Sequence, residues 1–188
     1  MTTYTKANLV KMLTEDFDLQ VSSSDAKNAI ETLIDLIKNA LIAKKDVALL
    51  NYGRLSPRHK AGGRPVRNPK TNEEFTMPSV GTVTLGGKKG DATGRVNSSE
   101  LFEELSAELE NKALAAKTLE TFLQVVIATK SGECRLEIRD FGVFHANWNE
   151  PRKGRNPKTE ENVEVEGKYR AHFKIGANFK KQMTEAYA

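Results

Sequence analysis

Apolar residues along this chain switch between helical and strand spacing, and the switch happens in the same order twice. Leu9, Leu13 and Phe17 recur at every fourth position, which predicts a helix over residues 6–17 with one apolar stripe. Ser22, Ser23, Ser24 and Asp25 form a run of helix-capping residues. Behind it, Ala26, Ala29, Ile30, Leu33, Ile34, Ile37, Ala40 and Leu41 mark the wide stripe of a deeply buried helix. Val47-Ala48-Leu49-Leu50 reads as a strand, Asn51-Tyr52-Gly53 as a tight turn, and a second strand starts near Arg54. The order then returns. Asn97 and Glu100 are spaced as a capping box for a helix carrying Leu101, Leu105 and Leu109. Leu119, Phe122, Leu123, Val126 and Ile127 repeat the wide stripe. Cys134, Leu136 and Ile138 alternate with charged residues, as in a strand with one wet face. Asp140-Phe141-Gly142 is the matching turn, and Val143-Phe144 opens the next strand.

A literal repeat underlies this order. Arg67-Asn68-Pro69-Lys70-Thr71 recurs as Arg155-Asn156-Pro157-Lys158-Thr159, 88 residues later in a chain of 188. Similarity at half the chain length implies one unit duplicated in tandem. The expected division is a first repeat over residues 1–85, a Gly/Lys-rich linker over 86–96 and a second repeat over 97–188. Units of this size bury limited apolar surface, which favours pairing them in one body. Each phrase sits in a stretch too polar for a core. The stretch reverses near the Asn-Pro, returns through Phe75-Thr76-Met77 or Val163-Glu164-Val165, and re-enters as a strand ending at Leu85 or Phe173. This predicts a two-stranded arm on each repeat. The returning legs match, since Leu85 and Phe173 both lie 16 residues past their proline. The outgoing legs differ: 15 residues from Gly53 to Asn68, 14 from Gly142 to Asn156. An extra residue near Pro65-Val66, accommodated as a bulge, is the expected remedy. Residues 178–187 predict a terminal helix. After Leu85, four glycines in nine residues argue against one and predict a flexible linker instead.

The net charge of +4 is modest but unevenly spread. Residues 1–53 carry 6 basic against 7 acidic side chains, and residues 54–89 carry 8 against 2. Residues 95–149 carry 6 against 9, and residues 150–181 carry 9 against 5. A mildly acidic first part and a basic second part in each repeat suit binding of a polyanion through the arm region. The lone Cys134 excludes an intramolecular disulfide and reads as a small core residue. His59, His145 and His172 have no Cys or carboxylate at ligand spacing, so no metal site or cofactor is expected. No catalytic constellation is apparent, and the chain is not read as an enzyme. No apolar run spans a bilayer and the N-terminus lacks an apolar signal core, so no membrane role is expected. Trp148 reads as packing near an arm root, and Lys88-Lys89 as solubilising the linker.

With these residues in view, the chain resembles the HU/integration host factor family of bacterial DNA-bending proteins, over almost its whole length and twice. The helix-helix-strand order, Gly53 and Gly142, the Arg-Asn-Pro-Lys-Thr phrases and the closing Phe173-Lys174-Ile175-Gly176 carry the resemblance. It implies an α+β fold of tandem repeats, each with two helices and a three-stranded sheet bearing a long arm. The two repeats would act as the protomers of a single-chain pseudo-dimer; a chain-swapped dimer stays open. The implied partner is double-stranded DNA, embraced by the arms in the minor groove. This family is a standing example of proteins that insert an apolar wedge and kink the duplex by roughly 20–90°. Pro69 and Pro157 would be the wedges. Arg67, Asn68, Lys70, Thr71, Arg155, Asn156, Lys158 and Thr159 would flank them. Arg54, Arg58, Lys60, Arg64, Arg152, Lys153, Arg170 and Lys174 would line the arm bases and the saddle. The family pattern has glycine at the third position past the arm proline, where this chain has Asn72 and Glu160. Asn tolerates left-handed backbone. Glu160, with Glu161, Glu164 and Glu166, makes the second arm the weaker binder. The implied function is DNA bending and compaction with weak sequence preference, in a cytoplasmic, nucleoid-associated setting; a phage or mobile-element origin stays open. The alternative is a protein-interaction scaffold with asymmetric or vestigial DNA binding.

Overall fold

The structure, a computed structural model, describes residues 2–16, 20–86, 92–155 and 162–187. Its first half runs β1 (Thr2–Thr5), α1 (Lys6–Thr14), α2 (Ser23–Ile42), β2 (Lys45–Leu49), β3 (Gly53–Lys60), β4 (Pro65–Arg67), β5 (Glu74–Thr76) and β6 (Val80–Leu85). The second half runs β7 (Gly94–Val96), α3 (Ser98–Leu109), α4 (Lys112–Ala128), a 3-10 turn (Thr129–Ser131), β8 (Cys134–Ile138), β9 (Gly142–Asn149), β10 (Arg152–Arg155), β11 (Asn162–Val165), β12 (Lys168–Ile175) and α5 (Ala177–Glu185).

The helices start where their capping residues stand. Ser22 Oγ accepts the Asp25 N–H at 3.1 Å and opens α2. The Asn97 N–H donates to Glu100 Oε2 at 3.0 Å and opens α3. The eight positions of the wide α2 stripe are all buried. Helix α1 is shorter than its apolar spacing predicts. It stops at Thr14, and the Glu15 N–H caps its last turn by donating to the Lys11 carbonyl at 3.0 Å. Phe17 lies outside the described residues. Strand β2 ends at Leu49, and Leu50 is exposed rather than part of it.

Two four-stranded sheets form, in the orders β1-β8-β9-β12 and β6-β3-β2-β7. Each half thus places its first strand in the other half's sheet. Strand β1 runs parallel to β8, from Thr2↔Cys134 to Thr5↔Glu137. Strand β7 runs parallel to β2, from Lys45↔Gly94 to Val47↔Val96. Neither strand is legible in the sequence, where residues 94–96 read as linker and residues 2–5 as a polar end. Both are edge strands, held by backbone pairing rather than by apolar alternation. Between Leu85 and Ser98 no described residue is helical.

The helices of both halves share one core on the inner side of the sheets. Ile30, Leu33 and Ile37 of the first half and Leu101, Phe122 and Phe144 of the second belong to the same buried cluster. Phe141, Phe144 and Phe173 lock the second sheet, with ring centroids 4.7–6.0 Å apart. Cys134 is buried, as its alternation predicts. Ser98 ties the halves by donating to the Ala48 carbonyl at 3.1 Å and accepting the Leu50 N–H at 3.2 Å.

Helix α5 belongs to the second half, where Phe179 packs on Phe141 with ring centroids 5.5 Å apart, and it also packs on β6 of the first. Phe179 and Met183 are fully buried, and Thr184 Oγ1 accepts the Gly81 N–H at 3.1 Å. Beyond the helix, Tyr187 stacks on His59 at 4.9 Å, with Lys44 Nζ 4.6 Å from the tyrosine ring centre. Gly81 makes this approach possible, because a Cβ there would strike the Met183 carbonyl. His59 and Gly81 are register partners, and Trp148 and Tyr169 pair at the same places of the second half. There the Tyr169 ring meets Trp148 edge-on at 5.0 Å and lies against Gly132. A side chain thus covers part of the face that a helix covers on the first half, leaving Trp148 50% and Tyr169 49% exposed.

Gly81→Ala is expected to force α5 away from β6 at a cost of about 1–3 kcal/mol, the usual range for overpacking. A lowered urea midpoint with an unchanged slope would report it; an unchanged midpoint contradicts this packing.

Candidate nucleic-acid interface

Strand alternation gives each sheet a helix side and an open side. On β3, Leu55 and Pro57 are buried against the helices, so Arg54, Arg58 and Lys60 take the open side, with Ser56 fully buried among its neighbours on that side. On β12, Phe173 is buried, so Arg170, His172 and Lys174 take it in the second half. Arg54 is partly engaged there, with Nε 3.3 Å from the Asp46 carboxylate, which is itself buried.

The arms extend both open sides. In the second arm the register runs unbroken from Gly142↔Ile175 to Arg155↔Asn162. In the first it slips by one. Lys60 pairs with Val80 and Pro65 with Thr76, leaving four residues on the outgoing leg and three on the return. The extra residue is not at Pro65-Val66, which pair regularly with Thr76 and Phe75. It sits at Gly63-Arg64, two residues earlier. The Gly63 N–H donates to the Met77 carbonyl at 3.0 Å, and the Met77 N–H donates to the Arg64 carbonyl at 2.9 Å, so two residues face one. Gly63 has φ +87°, a left-handed conformation that glycine accepts without strain. The bulge has a directional effect. A one-residue slip would otherwise send alternate side chains to the wrong face; absorbing it keeps Arg67 in phase with Lys60 and Arg58.

The first tip is built by its own backbone and the Asn68 side chain. Asn68 Oδ1 accepts the Lys70 N–H at 3.0 Å, bracketing Pro69 in a turn that suits its fixed φ and missing N–H. The Asn68 N–H donates to the Glu73 carbonyl at 2.9 Å, and its carbonyl accepts the Asn72 N–H at 2.8 Å. Asn72 adopts φ +60°, the left-handed geometry expected where the family pattern has glycine. Arg67 Nε donates to the Asn72 carbonyl at 3.2 Å and Thr71 Oγ1 to the Glu73 carboxylate at 3.0 Å. Pro69, Lys70 and Thr71 are left exposed at the apex. Since Asn68 Oδ1 is occupied, its amide NH2 is the group available to an outside acceptor.

The remaining candidates are placed differently. Arg64, opposite Met77, and Arg152, opposite Val165, take the helix side of their arms. Lys153 stands across from Glu164, so its charge is offset within the arm. Asn156, Pro157, Lys158 and Thr159 lie outside the described residues, as do Glu160, Glu161 and Lys88-Lys89. The arms differ in charge: residues 61–79 carry three basic and two acidic side chains, residues 150–167 four and five. His172 stands at period-2 spacing between Arg170 and Lys174, a signal legible in the sequence, whereas His145 joins that face only as its register partner on β9. Among the described residues no His/Cys/Asp/Glu group is arranged to hold a metal ion, and no helix is long and apolar enough to cross a membrane.

A family model described as bacterial DNA-binding protein matches residues 4–87 and again residues 96–184. The chain belongs to this family, twice over. Integration host factor subunit beta of Vibrio cholerae is 44% identical over 89 residues, 45% of this chain and 95% of that protein. The same subunit of Vibrio vulnificus is also 44% identical over 89 residues, with 45% and 94% covered. That of Shewanella amazonensis is 42% identical over 88 residues, with 45% and 92% covered. Such a subunit therefore corresponds in length to about half of this chain. Among solved structures, an Anabaena HU–DNA cocrystal structure matches with 27% identity and a TM-score of 0.41, covering 46% of this chain and 96% of that one.

Deleting Gly63 removes the extra residue and gives the first arm the unbroken register of the second, so Arg67 still opposes Glu74 and keeps its face. Affinity for a labelled duplex, read by fluorescence anisotropy, should then stay close to the parent's. Gly63→Asn, which keeps the residue count and tolerates positive φ, should also bind nearly as the parent does. A marked loss of affinity in the deletion would contradict this register.

Proposed function

We propose that this chain is an architectural DNA-binding protein whose halves serve as the two protomers of a single-chain pseudo-dimer. The duplex lies along the open sides of the two sheets, and the arms reach around it in the minor groove. The observation that carries this reading is the first arm. Its tip holds Pro69 exposed within a self-bonded turn, at the end of a ribbon whose Arg58, Lys60 and Arg67 share one face. Pro69 and, by the repeat, Pro157 act as wedges that unstack a base step; the unstacking costs a few kcal/mol and is offset by wrapping more DNA on protein. Arg67, Lys70, Arg155 and Lys158 meet phosphates beside the wedge. Asn68 and Asn156 donate to the acceptor edges of the groove floor. Arg54, Arg58, Lys60, Arg170 and Lys174 position the duplex through its backbone and carry little sequence information. Weak sequence preference follows, with A·T-rich, nicked or pre-bent DNA favoured because it deforms more cheaply. A nucleoid-associated, DNA-compacting role is the setting that fits.

The arms engage unequally. The second arm is acidic on balance and offsets Lys153 with Glu164, so the first grips more strongly. The same excess of glutamate supports a second reading, a protein-interaction scaffold that contacts DNA through one arm or not at all. A gel shift with a random duplex separates the two.

Pro69→Ala with Pro157→Ala should reduce the bend angle, read by fluorescence transfer between duplex ends, more than it reduces affinity. Equal bend angles would remove the wedges from the mechanism. The logarithm of affinity should fall linearly with the logarithm of salt, by about 0.9 per phosphate neutralised; a flat salt response would show that phosphate contacts do not drive binding.

A further inference from the structure

The open side of the second sheet carries a pair of side chains that the first lacks. His145 on β9 and His172 on β12 are register partners, with ring centroids 5.0 Å apart. At the same places in the first half, Ser56 on β3 pairs with Thr84 on β6, and neither titrates in the neutral range. The histidines lie between Arg170 and Lys174, two of the cations placed in the saddle above.

The surroundings of the pair are mostly cationic. On its own strand His145 is flanked on that face by Val143 and Asn147. Strand β12 adds Arg170, His172 and Lys174. Strand β8 adds Arg135 and Glu137, which pair with each other at 3.6 Å. Strand β6, packed beside β12, adds Thr82 and Thr84. The Thr129–Ser131 turn also packs on β9 and β12, and its Lys130 Nζ donates to the Asn51 carbonyl. One carboxylate thus faces several positive groups. Burial, and then the charge of His172, hold the His145 imidazole below its ordinary value; Lys174 and Arg135 act in the same direction and a bond to the Val143 backbone against it. Near neutral pH the free protein therefore keeps His145 uncharged. A duplex laid on this face opposes that local field, because phosphates favour imidazolium where the neighbouring cations disfavour it.

We propose that His145 and His172 form a proton-gated phosphate contact: the pair takes up protons as duplex DNA binds, adding positive charge to the second half of the saddle only in the bound state. The inference rests on the DNA-binding reading. Its sign follows from linkage. Binding raises the imidazole pKa, so affinity rises as pH falls through the imidazole range, by at most about tenfold for each pKa unit gained.

The chain has three histidines, so the test can account for all of them. Affinity of the full chain for a labelled duplex is measured at fixed ionic strength between pH 5.8 and 7.4. The parent should bind several-fold more tightly at the acid end. His145→Asn with His172→Asn should flatten the response. His172→Asn alone, at an exposed position that folding tolerates, should reduce it. His59→Asn, on the helix side against Tyr187, should leave it intact. Calorimetry in two buffers of different ionisation enthalpy should show proton uptake for the parent and not for the double variant. A flat response in the parent, or an undiminished one in both His172→Asn and the double variant, overturns the proposal. Failure to bind the duplex at any pH would instead overturn the DNA-binding reading.

Discussion

The exchange of first strands is the constraint on which the rest of the structure depends. β1 completes the sheet built from β8, β9 and β12, while β7 completes the sheet built from β6, β3 and β2. Each half therefore lends an edge to the other before it contributes a helix to the common core. A unit of about ninety residues with only two helices over a small sheet leaves much of its apolar surface wet. Interleaved, Ile30, Leu33 and Ile37 find Leu101, Phe122 and Phe144, and the six are fully buried. The open sides of the sheets are then left for charge, and the arms can project because nothing in the core requires them.

The halves are not copies in detail, and each difference has a local physical compensation. Losing a terminal helix after Leu85 would bare the root of the second arm. Tyr169 stands there at the place Gly81 holds in the first half and lays its ring against Trp148 and Gly132. Gaining one residue in the first arm would rotate its charged side chains out of line. Gly63 takes it up in a bulge, where positive φ is free of strain. Both are single-residue solutions to problems created by the divergence of the repeats. The charge difference between the arms has no comparable compensation among the described residues, and the His145–His172 pair adds to the asymmetry.

Much of this was legible in the sequence, because duplication doubled every signal. The wide stripes of α2 and α4, the capping residues Ser22 and Asn97, the glycine turns and the arm legs all rest on local periodicity or local hydrogen bonding. The short strands β1 and β7 were not legible. Thr2-Thr3-Tyr4-Thr5 and Gly94-Arg95-Val96 carry almost no apolar alternation, and partners more than forty residues away determine their conformation. The bulge was expected from leg lengths alone, but counting residues gives its existence and not its place. Gly63 was favoured over Pro65-Val66 by backbone freedom, which length arithmetic does not weigh. Likewise α1 ends at Thr14, short of what its apolar spacing predicts, because a stripe of Leu9, Leu13 and Phe17 does not by itself fix where a helix stops. At the candidate site, Pro69 and Asn72 were foreseeable from the turn chemistry. The facing of Arg64 and Arg152 was not, because it depends on register.

The pairing of β1 with β8 also bears on how such a chain is born. Thr2 is made long before Cys134, so the β1 edge stays unmatched until its partner strand has emerged. Helices α1 and α2 emerge long before α4, which packs on both of them. The nascent polypeptide therefore exposes part of its apolar core until the second half has been made, and that interval is when a holdase would matter most to it.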